Sequence, residues 1–440
     1  MKVFLLVISV LLFAAPLIAQ GLRAGYAKAD ITPTEPVFLG GYNLRESPSD
    51  GIHGNDRLYV RALVFEQEQN RVAFVEADII GIRGHDSWRN KISEATGIPA
   101  ANILLGDVHN HAAPSTSSKG ASRWLQRFEQ ALLAAVRDAN AKLQPVRMAA
   151  GSGQSRIAMN RRRVRPTDSE STLTFDENYR SQSFGKFKTG KPVEIRELAG
   201  VVRLGANPEG SIDEGVPVVR IDTADGKPLA VMIHYACHGT SLGGRNSKIS
   251  GEWMGRMQEH VEKQFPGVGA IYLQGAAGDI NPRVVGGLDG YQDDVRTTWA
   301  LGEEIGTEVT RIYRSLSPAA SANTQIQLET KEILLPRQYR ELFDDFTNTV
   351  VRVPSTAVRV GDLMWITFPG EMFHAIGKQI KTVVPVRYAH IMGYTNGSIG
   401  YFPEQKAYAE GGYEVATTHL DPASERIYLR EIQALINRLR

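Results

Sequence analysis

Two histidines separated by one residue carry the first sign of chemistry in this sequence. His109 and His111 lie in the motif Asp-Val-His-Asn-His, and on an extended backbone both imidazoles would point the same way. Two imidazoles on one side suit a borderline-soft divalent ion such as zinc. The alternative is a pair of hydrogen-bonded structural histidines at a strand end, and the spacing alone does not decide between the two.

A second motif, His-Tyr-Ala-Cys-His-Gly-Thr-Ser, places His234 and His238 four residues apart. This spacing forms a metal pair on a helix, but the apolar residues before His234 favour a strand. We therefore predict that His238, beside the Gly-Thr-Ser loop, faces a site, and that His234 is a core histidine. Cys237 is the single cysteine, which excludes an intramolecular disulfide framework, and we expect its thiol to be buried rather than bound to a metal.

Two acidic residues and a group of tyrosines follow further along the chain. Asp279 lies in the glycine-rich turn Gly-Asp-Ile-Asn-Pro, which suits an oxyanion pocket or the surroundings of a metal, or else a structural turn in which Asp279 caps the backbone. Glu371 follows Phe-Pro-Gly at a predicted helix start, so its carboxylate suits either a metal or the helix dipole. Tyrosines between Tyr394 and Tyr413 form either core packing or a polar pocket wall.

The polar residues of these motifs share a position just after a predicted strand. They are His109, His238, Asp279 and Glu371. Because open α/β sheets gather ligands outside their strand ends, this regularity indicates one assembled site.

Strand and helix periodicities alternate along the sequence, which predicts an α/β fold with mixed, partly antiparallel sheets flanked by helices. The clearest predicted strands are 57–66, 71–82, 103–105, 216–222, 229–236, 270–273 and 363–368. The clearest predicted helices are 86–96, 121–143, 251–265, 294–315 and 424–439. We predict a single large catalytic domain over residues 21–440. Residues 160–200 are polar and irregular, and are either a lid over a site or an exposed excursion.

Composition and the N-terminus bound the class of protein. The 440 residues carry Lys+Arg 50 against Asp+Glu 48, so the charge gives no footprint for nucleic acid. Met1-Lys2 precedes an apolar run over residues 3–15 and a small residue, Ala19. This pattern predicts a secretory signal peptide over 1–20, because a membrane span needs about 20 apolar residues. We expect an exported protein, secreted or periplasmic, without stable membrane insertion.

Taken in order, these motifs resemble the neutral (alkaline, non-lysosomal) ceramidase family. Any one motif is weak, but the ordered set is specific and runs through almost the whole sequence. Its members are Gly25-Tyr-Ala-Lys-Ala-Asp-Ile-Thr-Pro33, Gly51-Ile-His-Gly54, His109-x-His111-x-x-Pro114, Asn160-Arg161, His238-Gly-Thr-Ser241, Gly278-Asp-x-x-Pro282, Gly370-Glu371 and the segment Tyr401 to Tyr413.

The resemblance implies a zinc-dependent amidohydrolase that cleaves the N-acyl bond of ceramide or a related small-molecule or lipid substrate. The family's zinc ligands match His109, His238, Glu371 and Tyr401. The family's residues that contact the substrate carbonyl or the scissile group match His111, Arg161 and Tyr413. Such a zinc ion polarises the amide carbonyl or lowers the pKa of a bound water toward about 7. The substrate-facing residues would then stabilise an oxyanion or protonate the leaving amine.

The sequence departs from the family at two points. Asn281 stands where ceramidases carry a serine, and an amide cannot accept an acyl group in that way, so a zinc–water route is preferred. Asn281 remains a candidate catalytic residue that donates a hydrogen bond to an oxyanion or a substrate hydroxyl. We also expect the family's C-terminal β-sandwich to be absent. The alternatives are a hydrolase of another ester or of an N-acetyl sugar bond at the same metal site, and a non-catalytic secreted binding protein.

Overall fold

The structure is a computed structural model that describes residues 21–42, 45–164, 202–285, 294–319, 325–338 and 349–439. The predicted signal peptide and most of the 160–200 segment lie outside these residues. The strands are β1 Arg23–Asp30, β2 Tyr59–Gln67, β3 Asn70–Ala77, β4 Ile103–Asp107, β5 Gln144–Gln154, β6 Ala158–Val164, β7 Val202–Asn207, β8 Gly215–Thr223, β9 Pro228–Tyr235, β10 Gly269–Gln274, β11 Ile280–Pro282, β12 Ile326–Pro336, β13 Val350–Val360, β14 Leu363–Thr367, β15 Glu371–Met372, β16 Tyr388–Met392 and β17 Tyr401–Phe402.

The described residues also form eight α-helices. They are α1 His85–Thr96, α2 Ser122–Ala141, α3 Glu252–Gln264, α4 Val295–Ser315, α5 His374–Val383, α6 Gln405–Glu410, α7 Tyr413–Thr417 and α8 Ser424–Asn437. None of these described helices is long and apolar enough to cross a membrane.

An eight-stranded mixed sheet in the order β10-β9-β8-β5-β1-β2-β3-β4 forms the centre of the fold. Its outermost pairs, β10 with β9 and β3 with β4, are parallel, and the pairs between them are antiparallel. The ends of the two outermost pairs meet, because the Gln274 side chain at the end of β10 donates to the carbonyls of Val108 and Cys237. The loops that follow β4 and β9 are thereby held side by side.

Both faces of this sheet are buried, which explains its long apolar strands. On β2, Val60, Ala62 and Val64 pack toward α1 and α2, whereas Leu63 and Phe65 face a second sheet. The second sheet has the order β12-β13-β14-β16, and its other face is covered by α5 and α8. Helices α3 and α4 cover the rest of the first face. The layers therefore run helix, sheet, sheet, helix, which confirms the mixed α/β prediction.

Two smaller sheets lie at the strand ends. One has the order β11-β6-β7, and the other is the two-residue parallel pair β15-β17. The prediction of irregular structure from residue 160 was wrong for 160–164, because these residues form the end of β6. Arg161 and Arg162 are paired with the buried carboxylate of Glu414 rather than solvated, so polar composition was a misleading signal there.

Candidate metal centre

The first histidine motif lies in the loop after β4, as predicted, but it is not extended. His109 has a φ of 56°, a left-handed conformation that costs energy in a residue with a side chain. Its backbone N–H donates to Asp107 Oδ1 at 3.2 Å, and the His111 N–H donates to the Gly239 carbonyl at 2.9 Å. These bonds hold the loop against the loop after β9. The two rings lie 4.8 Å apart between centroids.

His238 lies in that neighbouring loop and is fully buried. Its Nδ1 is 2.8 Å from the Ala277 carbonyl and 3.0 Å from the Ile280 carbonyl. Since carbonyls only accept hydrogen bonds, Nδ1 carries the proton and the Nε2 lone pair faces the site. Histidine ligands of metals are commonly oriented by such a backbone carbonyl.

The ring nitrogens of three histidines form a compact group. One ring nitrogen from each of His109, His111 and His238 lies within 4.8 Å of the other two. Burial lowers the pKa of each ring, to about 3 for His109 and well below the usual range for the other two. All three rings are therefore neutral near pH 7. Both nitrogens of His111 are buried without a hydrogen-bond partner among the described residues, a costly state that a bound cation would relieve.

Glu371 brings a carboxylate to the same place. The parallel pair β15-β17 sets Glu371 opposite Tyr401, and Glu371 Oε2 lies 3.1 Å from His238 Nε2 and 3.6 Å from His109 Nε2. At His238 two hydrogen-bond acceptors face one another. Such an arrangement is stable only with a proton or a cation between them, so the donor set fits a bound metal ion.

Arg161 forms the far wall of the group. Its Nε donates to Glu414 Oε1 at 2.8 Å, and its Nη2 donates to the Gly278 carbonyl at 2.7 Å. Its Nη1 lies 3.1 Å from His238 Nε2 and 3.3 Å from Asn281 Oδ1. The guanidinium therefore faces the same Nε2 lone pair of His238 that Glu371 Oε2 faces. Its hydrogen bond also turns Asn281 so that the amide nitrogen is the end that can donate elsewhere.

Two tyrosines complete the predicted set. Tyr401 is buried, and its ring lies 5.3 Å from the Arg161 guanidinium carbon and 5.6 Å from the ring of Tyr413. Tyr413 is half-buried at the start of α7. The fold thus links the eight predicted site residues through a series of contacts, in which Tyr413 is joined to the rest through the ring of Tyr401. It also places His111 within the group of ring nitrogens, although the family position that His111 matches contacts the substrate.

Sequence reasoning missed two neighbours of this group. Tyr394 has a φ of 54° and stacks on His109 with centroids 4.2 Å apart, and its buried hydroxyl has no partner among the described residues. Glu414 accepts hydrogen bonds from both Arg161 and Arg162. The only signal for Tyr394 was the local density of tyrosines, and nothing in the sequence paired Glu414 with an arginine more than two hundred residues away.

The alternatives left open at three other residues are now decided. His234 stacks on His390 and accepts a hydrogen bond from the Trp365 indole at 3.0 Å, so it is a core histidine, as predicted. Cys237 is a buried free thiol, also as predicted. Among the described residues, Asp279 makes no hydrogen bond to the three histidines. Its Oδ1 accepts the backbone N–H of His374, the first residue of α5, at 2.9 Å, so the capping interpretation holds.

Fold and site together define a mixed α/β protein with a buried centre of three imidazoles and one carboxylate. No family model matches the chain, but individual proteins are similar to it. Neutral ceramidase A of Dictyostelium discoideum is 25% identical over 366 residues, which cover 74% of this chain and 46% of that protein. Neutral ceramidase of Pseudomonas aeruginosa is 25% identical over 355 residues, which cover 75% and 46%.

Solved structures agree on the fold. A crystal structure of neutral ceramidase from Pseudomonas aeruginosa matches with a TM-score of 0.70 and 20% identity, over 95% of this chain and 74% of that one. A ceramidase complexed with C2 matches with a TM-score of 0.70 and 18% identity, over 96% and 75%. The chain is therefore a homologue of the neutral ceramidases, which confirms the resemblance seen in the motifs. It spans about half the length of the curated relatives that it matches.

Proposed function

We propose that this chain is a zinc-dependent amide hydrolase that cleaves the N-acyl bond of ceramide or a related N-acyl compound. The observation that carries the proposal is the position of Glu371 Oε2, which faces the Nε2 atoms of both His109 and His238. Uncharged imidazoles opposite a carboxylate attract a cation strongly. The homology to neutral ceramidases supports the choice of an amide bond.

The donor set favours zinc over a harder ion. Imidazole nitrogens with one carboxylate oxygen suit zinc, whereas magnesium and calcium prefer oxygen donors alone. His109, His238, Glu371 and Tyr401 would hold the ion. When bound, zinc supplies Lewis-acid polarisation of a carbonyl and lowers the pKa of water.

The chain's own residues supply the rest of the chemistry. Arg161 presents a buried guanidinium beside His238, and Asn281 presents an amide beside Arg161, so both can stabilise negative charge on a substrate oxygen. His111 is neutral, and neither of its ring nitrogens has a hydrogen-bond partner among the described residues, so one of them can accept a proton. The phenol of Tyr413 can donate a proton to the departing amine.

We also propose that the protein is exported, secreted or periplasmic, with residues 1–20 removed as a signal peptide. The basic start and the apolar run before Ala19 support this. The exported protein would then meet its N-acyl substrate, a lipid or a small molecule, outside the cytoplasm. Export is tested by sequencing the N-terminus of the secreted protein, which we expect to begin at residue 21.

The test of activity combines metal content with a substrate panel. The purified protein, with no added metal, should contain about one zinc per chain by elemental mass spectrometry. It should hydrolyse a long-chain ceramide, lose that activity to a chelator and regain it with zinc. Short-chain N-acyl amides, an N-acetyl sugar and a carboxylic ester complete the panel. Turnover confined to the non-amide substrates, or folded protein that neither contains nor recovers zinc, would contradict the proposal.

A further inference from the structure

A second group of polar side chains lies on the wall of a separate cavity, and the proposed amidase does not use it. Asp279 Oδ2 lies 2.7 Å from His374 Nδ1, and His374 Nε2 lies 2.8 Å from Ser211 Oγ. Asp279 and His374 are buried, whereas Ser211 is exposed. Ser211 lines a cavity of about 630 Å³, together with Asn160, Asp213 and Lys378.

The direction of the hydrogen bonds follows from the carboxylate. Burial alone would raise the pKa of Asp279, but the hydrogen bonds from His374 lower it, so the carboxylate is ionised and accepts. When the His374 ring carries one proton, that proton lies on Nδ1 facing the carboxylate, and Nε2 holds a lone pair. Ser211 must then donate its hydroxyl hydrogen to Nε2. An acid, an imidazole and a serine linked in this order form the arrangement that activates a serine nucleophile.

The group is fixed by further hydrogen bonds. Asp279 Oδ1 accepts the His374 backbone N–H at 2.9 Å, so the acid holds both the ring and the backbone of the histidine. Asn160 Nδ2 lies 3.1 Å from Asp279 Oδ2 and 3.1 Å from the Ser211 carbonyl. One amide thus ties the acid to the backbone of the serine. Only the serine hydroxyl is presented to solvent, as a nucleophile requires.

The charged side chains of the cavity suit a substrate whose carbonyl oxygen gains negative charge. Asp213 pairs with Lys381 at 2.6 Å, and Glu214 pairs with Arg156 at 3.1 Å. Lys378 follows His374 by one helical turn on α5 and lines the cavity, where its charge also acts on Asp213. It is the cation on this wall that can balance negative charge developing on a carbonyl oxygen.

We propose that Ser211, His374 and Asp279 form a second, metal-independent nucleophilic site that hydrolyses small carboxylic esters. Ser211 Oγ forms a bond to the acyl carbon while its proton moves to His374 Nε2. The bond from the acyl carbon to the alcohol oxygen breaks, and that oxygen leaves with the proton. Water then attacks the acyl group and gives a proton to His374, which returns it to Ser211 as the carboxylic acid departs.

The two sites share a wall, so the choice of variant matters. Asn160 and Arg161 are neighbours on β6, but Asn160 contacts Asp279 while Arg161 contacts His238. The Arg161 N–H also donates to the Asp279 carbonyl at 2.9 Å. Because Asp279 is thus joined to the strand that carries Arg161, a variant of Ser211 is the cleaner test. Ser211→Ala removes only an exposed hydroxyl, and Ser152, an exposed serine that donates to a backbone carbonyl, provides the matched control.

The experiment measures hydrolysis of p-nitrophenyl acetate by the full chain after treatment with a chelator. Activity should persist without metal, and should fall about 100-fold or more in Ser211→Ala, because general-base activation contributes that much. Ser152→Ala should match the parent. A fluorophosphonate should label Ser211, as shown by peptide mass mapping, and thermal melting should show that each variant folds.

The outcomes separate this site from the proposed amidase. Two sites are supported if ceramide hydrolysis requires metal and survives Ser211→Ala. Ester hydrolysis should then need no metal and be lost in Ser211→Ala. Ester hydrolysis that is unchanged in Ser211→Ala, or that disappears with the metal, overturns the proposal. So does the absence of both ester hydrolysis and labelling at Ser211, whatever becomes of the amidase.

Discussion

The molecule buries two groups of histidines that look alike by several measures and differ in what surrounds them. One is the candidate metal centre of His109, His111 and His238, and the other is the core pair His234 and His390. Burial lowers the pKa of His109 and of His390 to about 3 in each case. Both groups also contain ring nitrogens without a partner among the described residues.

Their charged neighbours distinguish them. In the candidate metal centre a carboxylate oxygen of Glu371 faces two ring nitrogens. At the core pair the nearby charge is Lys381, which further lowers the pKa of both rings, and His234 already accepts the Trp365 indole. The core rings stack in parallel, with centroids 4.1 Å apart. Burial and a lowered pKa therefore do not distinguish the two groups, whereas the carboxylate oxygen of Glu371 facing a ring nitrogen does.

The largest expected effect separates two histidines of one motif. His238→Ala should abolish zinc binding and lower amide hydrolysis about 1,000-fold or more, because an oriented ligand is lost. His234→Ala should keep its zinc and cost about 2–4 kcal/mol of stability, because it leaves a cavity in the core. Elemental mass spectrometry measures the bound zinc, turnover measures amide hydrolysis, and denaturant unfolding measures stability. Equal loss of zinc in both variants would erase the distinction.

The next effect concerns the carboxylate. Glu371→Gln should weaken zinc binding about 10–100-fold, since a charged donor becomes neutral. In the chelated protein the same change should leave stability unaltered or raise it by up to about 1 kcal/mol, because an amide N–H can donate to His238 Nε2. A competition titration and melting of the chelated protein measure the two effects. A chelated variant that melts well below the parent would show that Glu371 is a structural anchor.

A smaller effect should appear as pH dependence of the core pair. The folded-state pKa of His390 is about 3, against about 6.5 in an unfolded chain, so the unfolded state binds the proton more readily. This contribution to stability is complete above about pH 6.5 and is lost as the pH falls toward 3. His390→Phe should reduce the slope of unfolding free energy against pH over that window. An unchanged slope would mean that His390 does not control acid unfolding.

The smallest effect tests the tyrosine that the sequence did not single out. Tyr394→Phe keeps the ring that stacks on His109 and removes a buried hydroxyl without a described partner. Stability should change by less than about 1 kcal/mol and zinc should be retained. Tyr401→Phe, the matched variant, should weaken zinc binding. Loss of zinc in Tyr394→Phe alone would exchange the roles of the two tyrosines.

Much of the fold could be predicted because its elements carry strong local patterns. Helices 86–96, 121–143, 251–265 and 294–315 end within two residues of α1, α2, α3 and α4. The apolar strands before His109 and His238 were equally clear. By contrast, β15 and β17 have two residues each and carry no periodicity, so their pairing could not be seen. The Arg-rich end of β6 looked solvated because its acidic partners lie far along the sequence.

The sequence predicted which residues belong to the candidate site, but not how they are arranged. Residue types and their place after strands, together with family resemblance, named the residues that the fold gathers. The left-handed turn at His109 and the contact of Arg161 with His238 depend on the tertiary structure. The link from Ser211 to His374 was missed altogether, because a serine and a histidine 163 positions apart share no local pattern.

The wide spacing of the candidate ligands has a consequence for how the protein would be made. His238 and Glu371 are separated by 133 positions, and only a nearly complete fold brings them together. A metal ion would then bind the native state and hardly at all the unfolded chain, so by mass action it would add about 2.7 kcal/mol at a free concentration of 100 times its Kd. The melting temperature would thus report free metal, and the trace metal in a culture medium would help to set the yield of folded protein.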